Sequence, residues 1–209
     1  MRRVMPILLL LSLATGGCGA PKVNISEGTR QFSPSDYEPT LELWSRDTSV
    51  YTLDGMDNVL TATATYLSWE FRWAYAVRYS DDHRLSPEER AVFRQKQFDD
   101  YRKAHEFIVA TTSGEHRWCV LGKESSVWKV SMINDRGDSV APLVIEEIKK
   151  PTAAQMAYFP YINVFRQAYR ITFPRTLPNS QVPIIGANNE YFKLCFVGAL
   201  GNGELRWDI

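Results

Sequence analysis

From residue 127 onward, short β-prone runs are cut apart by turn residues, and this spacing constrains the fold of the 209-residue chain more than any other feature. Over 127–133, Val127, Lys129, Ser131 and Ile133 fall on one side of an extended chain, with Trp128, Val130 and Met132 on the other. Asn134-Asp135-Arg136-Gly137-Asp138 then reads as a turn, because Asn and Asp bond their own backbone and Gly accepts positive φ. The run 140–148 reads as the returning strand. A further strand over 166–173 is halted by Pro174, and 191–200 with 204–208 reads as a hairpin around Asn202-Gly203. Upstream, Leu41, Leu43 and 50–53 read as a strand leading to the turn Asp54-Gly55, with 59–67 as its partner. Such spacing predicts a mainly β fold: one β-sandwich-like, Ig-like domain over 40–209.

One region departs from this pattern. From Ser68 to Tyr79 the aromatic residues alternate with polar ones at the strand period. Yet Leu67, Phe71, Ala74, Tyr75 and Tyr79 also share one helical face, and Ser68 suits an N-cap. An unbroken strand over 59–79 would far exceed the usual length of about 5–6 residues, so the segment reads as helix. Ser86-Pro87-Glu88-Glu89 opens a second helix with a cap, a first-turn proline and a capping-box glutamate. Phe98, Tyr101, Ala104 and Ile108 line one face of it, and it ends near His105, where 107–112 regains strand propensity. The two helices are expected as an insertion over about 69–105, packed on an end or face of the sandwich. A short helix is expected over 153–159.

The N-terminus addresses location. Met1-Arg2-Arg3 precedes an apolar run of about 10 residues, the anatomy of a secretory signal and about half of what a membrane-spanning helix requires. At Gly16-Gly17-Cys18 this segment resembles the lipobox of bacterial lipoproteins, departing from it at Thr15, where that family prefers an aliphatic residue. The resemblance implies removal of residues 1–17, a diacylglyceryl group on Cys18 and acylation of the new amine. Gly19, rather than Asp, implies the outer membrane. Residues 18–39, polar and rich in Ser, Gly and Pro, are expected to form a flexible tether. At about 3.5 Å per residue it would lift the domain some 70 Å from the bilayer.

Without Arg2 and Arg3 the mature chain has 22 basic against 24 acidic side chains, a net charge of −2. Such balance argues against a nucleic-acid partner. Six Trp, ten Tyr and ten Phe suit a β-rich core. Cys119 and Cys195 both lie in apolar, strand-like segments. Outside the cytoplasm two readings stand for them: a disulfide, or two separately buried thiols.

Beyond the anchor, Trp128, Asp135-Arg136-Gly137, Phe159-Pro160, 169–174 and Leu205-Arg206-Trp207 resemble a group of uncharacterised bacterial envelope lipoproteins. That likeness implies fold and location only. Chemistry is sparse. Arg136-Gly137-Asp138 matches an integrin-binding tripeptide but reads as turn chemistry. His83, His105 and His116 have no metal-ligand spacing. Asp99-Asp100 and Glu146-Glu147 are sequence neighbours that point apart, and no Gly-x-Ser-x-Gly elbow occurs. Neither a catalytic residue, a cofactor nor a metal site is assigned. The aromatic run 158–165 has two readings: a cap on the core, or a partner patch formed by Tyr158, Phe159, Tyr161 and Phe165.

The expected role is a lipid-anchored envelope protein that serves by binding as an accessory of an envelope assembly. An exposed aromatic patch opposite the tether would mark it. The alternatives are a binder of a small molecule or glycan, marked by a closed aromatic pocket, and a hydrolase, marked by a buried polar cluster at His105 or His116.

Overall fold

Alternation along the strands builds two layers. The computed structural model describes residues 21–52 and 55–209. The signal peptide, Cys18 and Asp54 of the first expected turn lie outside them. In chain order the strands are β1 (Ser45–Tyr51), β2 (Asn58–Tyr66), β3 (His105–Thr112), β4 (Trp128–Asn134), β5 (Ser139–Val140), β6 (Val144–Glu147), β7 (Gln167–Phe173), β8 (Tyr191–Gly198) and β9 (Gly201–Asp208). A five-stranded sheet has the order β1-β2-β3-β7-β6 and a four-stranded sheet the order β5-β4-β8-β9. All their pairings are antiparallel. The fold is mainly β, a two-sheet sandwich.

Aromatic side chains join the layers. Leu60, Ala62, Ala64 and Tyr66 of β2, with Phe107 and Val109 of β3, are buried against Phe192, Leu194, Phe196, Leu205 and Trp207 of the second sheet. Phe192 stacks on Trp207 with ring centroids 5.2 Å apart, and Tyr66 and Phe107 reach this pair at 5.1 and 5.5 Å. The Trp207 indole N–H donates to the Trp44 carbonyl at 3.0 Å.

Among the described residues four α-helices accompany the sheets: α1 (Tyr37–Trp44), α2 (Trp69–Asp82), α3 (Pro87–Lys103) and α4 (Ala153–Tyr158). Both members of the expected insertion form. Ser68 Oγ accepts from the Phe71 amide, and Ser86 and Glu89 make the capping box. The alternation in α2 has a packing cause, since the helix buries aromatic residues on two sides. Trp69 stacks on Phe98 of α3 at 3.9 Å, while Phe71 and Tyr75 meet Tyr37.

Several expectations are corrected. Leu41 and Leu43 lie in α1, not a strand; Tyr37, Thr40 and Trp44, its buried residues, recur at helical spacing. The run 140–148 is not one strand. It breaks at Pro142, which has no amide to donate, and crosses from β5 in one sheet to β6 in the other. The final hairpin turns at Ala199-Leu200, with Gly198 opposite Gly201. Gly203 instead lies inside β9, where a Cβ would stand 3.0 Å from a Val50 methyl, so close packing against β1 explains that glycine. The turn after β4 forms as expected: Asn134 Oδ1 accepts from the Arg136 and Asp138 amides, and Gly137 has φ +84°.

The flexible tether is also corrected from Pro21 onward. The Val23 amide donates to the Asp208 carbonyl at 2.7 Å, and Val23 is 4% exposed. Arg46 donates to the Pro21 carbonyl, Trp69 to that of Gly28, and Glu27 pairs with Arg102. Backbone bonds and two apolar side chains, Val23 and Ile25, hold the segment despite its polar composition.

Register gives the sandwich two distinct ends. Tyr66, His105 and Phe173 lie at one end of β2, β3 and β7; Asn58, Thr112 and Gln167 lie at the other. The docked N-terminal segment meets the first end, since Asp208 and Trp207 lie beside it and Gly201 lies beside Val50. The two ends are about 27 Å apart along nine-residue β2.

Candidate functional site

The expected aromatic patch divides. Tyr158 and Phe159 are buried. Tyr161 is largely so, accepting from Thr65 Oγ1 at 2.7 Å and donating to the Ile108 carbonyl at 3.1 Å. These residues cap the core. Val164 and Phe165, by contrast, are both 85% exposed. Their loop is fixed: Asn163 Oδ1 accepts from the Phe165 amide, Thr112 donates to the Phe165 carbonyl, and Arg166 reaches Thr63. Met56, also exposed, lies in the β1–β2 connection at the same end. An apolar tip thus stands at the end away from the N-terminal segment.

The opposite end carries a cavity of about 330 Å³. Residues 24–27, Tyr66, Tyr101, His105, Arg175, residues 185–187 and Ile209 line it. β3 begins at His105 and carries the ring to the inner face, where it is 2% exposed. Its Nδ1 lies 2.7 Å from Tyr66 Oη and 3.2 Å from Arg175 Nη1. A guanidinium only donates, so Nδ1 holds the lone pair and Nε2 the hydrogen. Nε2 is buried with no hydrogen-bond partner. Burial, and next the Arg175 charge, hold the histidine pKa well below its ordinary value, so the ring is neutral. Burial likewise pushes the Tyr66 phenol far up.

This cluster resembles the expected mark of a hydrolase without its chemistry. Nδ1 faces a phenol and a cation rather than an orienting carboxylate, and a histidine resisting protonation makes a poor base near pH 7. The depressed pKa has a measurable consequence. Below about pH 6.5 the unfolded chain binds a proton at this histidine that the folded chain refuses, so stability falls as pH drops, by up to about 1.4 kcal/mol per pH unit. His105→Gln should flatten that slope between pH 6.5 and 5, as read by urea unfolding. Equal slopes in the two proteins would refute it. Asp135, held below the usual carboxylate range first by the Asn189 amide, titrates below this window.

On the outer face of the five-stranded sheet, Glu106 joins two cations. Arg72, 2% exposed, donates from Nη2 to Glu106 Oε2 at 2.7 Å, and Arg170 reaches the same oxygen at 3.0 Å. Arg72 also donates to the Leu67 carbonyl and the Gln97 side chain. This network ties α2 and α3 to β3 and β7. A smaller cavity of about 180 Å³ adjoins it, and a hollow of about 820 Å³ beside residues 29–36 lies open to solvent.

The remaining candidates are scattered. Cys119 closes a 3-10 turn and donates from its thiol to the His116 carbonyl at 3.2 Å, whereas Cys195 lies opposite Ser131 and Glu204 in the second sheet. Both are free, buried thiols, so the disulfide reading is corrected. Burial raises both thiol pKa values, that of Cys195 to about 11. His116 accepts from Gln167, and His83 stacks on Tyr79 at the end of α2. Among the described residues no three His, Cys, Asp or Glu side chains converge as a metal-binding group, and no helix is long and apolar enough to cross a membrane.

Sequence reading placed His105 at a helix end and gave Arg175 no role. The pairing arises because β3 and β7 are antiparallel neighbours with His105 opposite Phe173, a long-range register that local sequence does not carry. Comparison with protein-family models, curated proteins and solved structures finds no match to this chain.

Proposed function

We propose that this chain is a lipid-anchored bacterial envelope protein, held in the outer membrane through Cys18, whose work is to bind a protein partner as an accessory of an envelope assembly. The signal-like N-terminus and the Gly16-Gly17-Cys18 motif support the anchor. The observation that carries the binding role is the exposure of Val164 and Phe165 on a fixed loop, when nearby Tyr158, Phe159 and Ile162 are buried.

Geometry gives the tip its direction. Only two residues lie between Cys18 and Pro21, whose carbonyl is already bound by Arg46, so lipid on Cys18 leaves about 10 Å of chain rather than a long tether. The N-terminal end of the sandwich then rides against the bilayer. Val164 and Phe165 stand about 27 Å farther out along the strands, facing away from that membrane. An apolar pair in that place suits a protein surface, where aromatic residues supply much of the binding energy.

Photo-crosslinking in intact envelopes tests this reading. A photoreactive residue at position 165 should give one dominant protein adduct that disappears with Cys18→Ser. The same probe at Val92, an exposed apolar residue of α3, should not. Val164→Ser should weaken the adduct while changing stability by less than about 0.5 kcal/mol, as expected of an exposed residue. Equal, scattered adducts at 165 and 92 would exclude the tip as a docking site.

A further inference from the structure

We infer that the cavity at the anchored end of the sandwich binds a small organic carboxylate, with Arg175 taking the charge and the isoleucine wall holding an apolar body. The site is separate from the tip formed by Val164 and Phe165 and is independent of what binds there.

The argument begins with charge. Arg175 makes no ion pair among the described residues. Its Nη1 donates to the Tyr101 carbonyl at 3.3 Å and to His105 Nδ1, and its guanidinium lies 4.5 Å over the Tyr101 ring. Those contacts fix its position and leave the Nε and Nη2 donors unused. The acid on the same wall, Glu27, is engaged by Arg102. A half-buried cation held this way, without a counter-ion, is a ready anion receptor.

Hydrogen bonding fixes the receptor. The His105 Nδ1 accepts from Arg175 Nη1 and holds the guanidinium at the cavity wall, while the ring itself is buried. The remaining guanidinium donors call for oxygen acceptors with one negative charge. Ile25, Ala187, Ile185 and Ile209 supply apolar wall, so the acceptor is carried by a hydrocarbon body. A volume of about 330 Å³ lies at the small end of ligand sites, which limits that body to about one ring or a short branched chain.

Benzoate is the probe, and the full chain in detergent micelles carries the test. Protein with ¹⁵N-labelled histidine should show His105 as the Nε2–H tautomer, and its Nδ1 signal, which reports the bond from Arg175, should move saturably on titration with benzoate. Benzyl alcohol, matched in shape but uncharged, should bind at least tenfold more weakly. Arg175→Gln should also weaken benzoate at least tenfold, with near-UV circular dichroism confirming the fold. Arg175→Lys, which keeps the charge, should retain more affinity than Arg175→Gln. A His105 signal unmoved by 20 mM benzoate overturns the inference, as does equal affinity for benzyl alcohol in the unmodified protein. That second comparison decides the matter even if an Arg175 variant fails to fold.

Discussion

Glu106→Ala lowers the unfolding free energy by about 3–5 kcal/mol, the range for removing one partner of a buried ion pair. The size follows from what remains. Arg72 is 2% exposed and sits on the side of α2 that meets Glu106 of β3. Its bonds to the Leu67 carbonyl and Gln97 occupy Nε and Nη1 and bring no negative charge, so Nη2 loses its partner. Arg170, which shares the same carboxylate oxygen, then remains as a second cation with that oxygen gone. For a domain with about 5–15 kcal/mol of total stability this is a large fraction, so unfolding is best followed in urea at low temperature by tryptophan fluorescence. The double variant Arg72→Leu with Glu106→Leu should recover most of the loss, because the expense lies in an uncompensated charge and not in the absence of an attraction. A single variant losing less than 1 kcal/mol, or a double variant no better than the single, would show that water reaches Arg72 and that the helical pair is held by its aromatic contacts alone.

The elements legible in the sequence were those whose cause is local. Ser68, Ser86 and Glu89 act within a turn of their helices, and Asn134 with Gly137 closes a five-residue turn, so each could be read from its neighbours. What was not legible depends on partners far along the chain. Asn202-Gly203 has the composition of a hairpin tip, yet Gly203 is required by Thr48 and Val50 more than 150 residues away. Residues 21–36 have a linker's composition and are held by Asp208, Arg46, Trp69 and Arg102, none of them near in sequence. The aromatic run 158–165 carries two readings because part of it is buried and part exposed, and the division at Ile162 is set by which side chains α2 and β2 cover. His105 was visible as a residue; its cavity was not, because Arg175 reaches it only through the pairing of β3 with β7.

Trp207→Ala is the substitution expected to cost most in the core. Large aromatic truncations in packed interiors cost about 3–5 kcal/mol, and the upper end applies where the site cannot collapse. Trp207 is fully buried and meets three groups of different kinds at once. Its ring stacks on Phe192 within its own sheet and contacts Phe107 of the other, and its indole N–H holds the Trp44 carbonyl at the end of α1. Neither sheet can move in to fill the gap without losing the register that places Tyr66 against Phe192. Trp207→Phe separates the contributions: it keeps most of the ring volume and removes the donor, leaving a buried carbonyl unpaired for about 1–3 kcal/mol. The effect should extend to the cavity, because Asp208, the next residue, holds Val23 and thereby the wall formed by residues 24–27. Hydrogen exchange in Trp207→Phe should therefore show the Val23 amide losing protection in step with β9, while the Phe165 amide at the opposite end is unchanged. If the Val23 amide kept its full protection in that variant, the N-terminal segment would be docked by its side-chain contacts with Trp69 and Arg102, and the stacked pair of Trp207 and Phe192 would have no part in shaping the cavity.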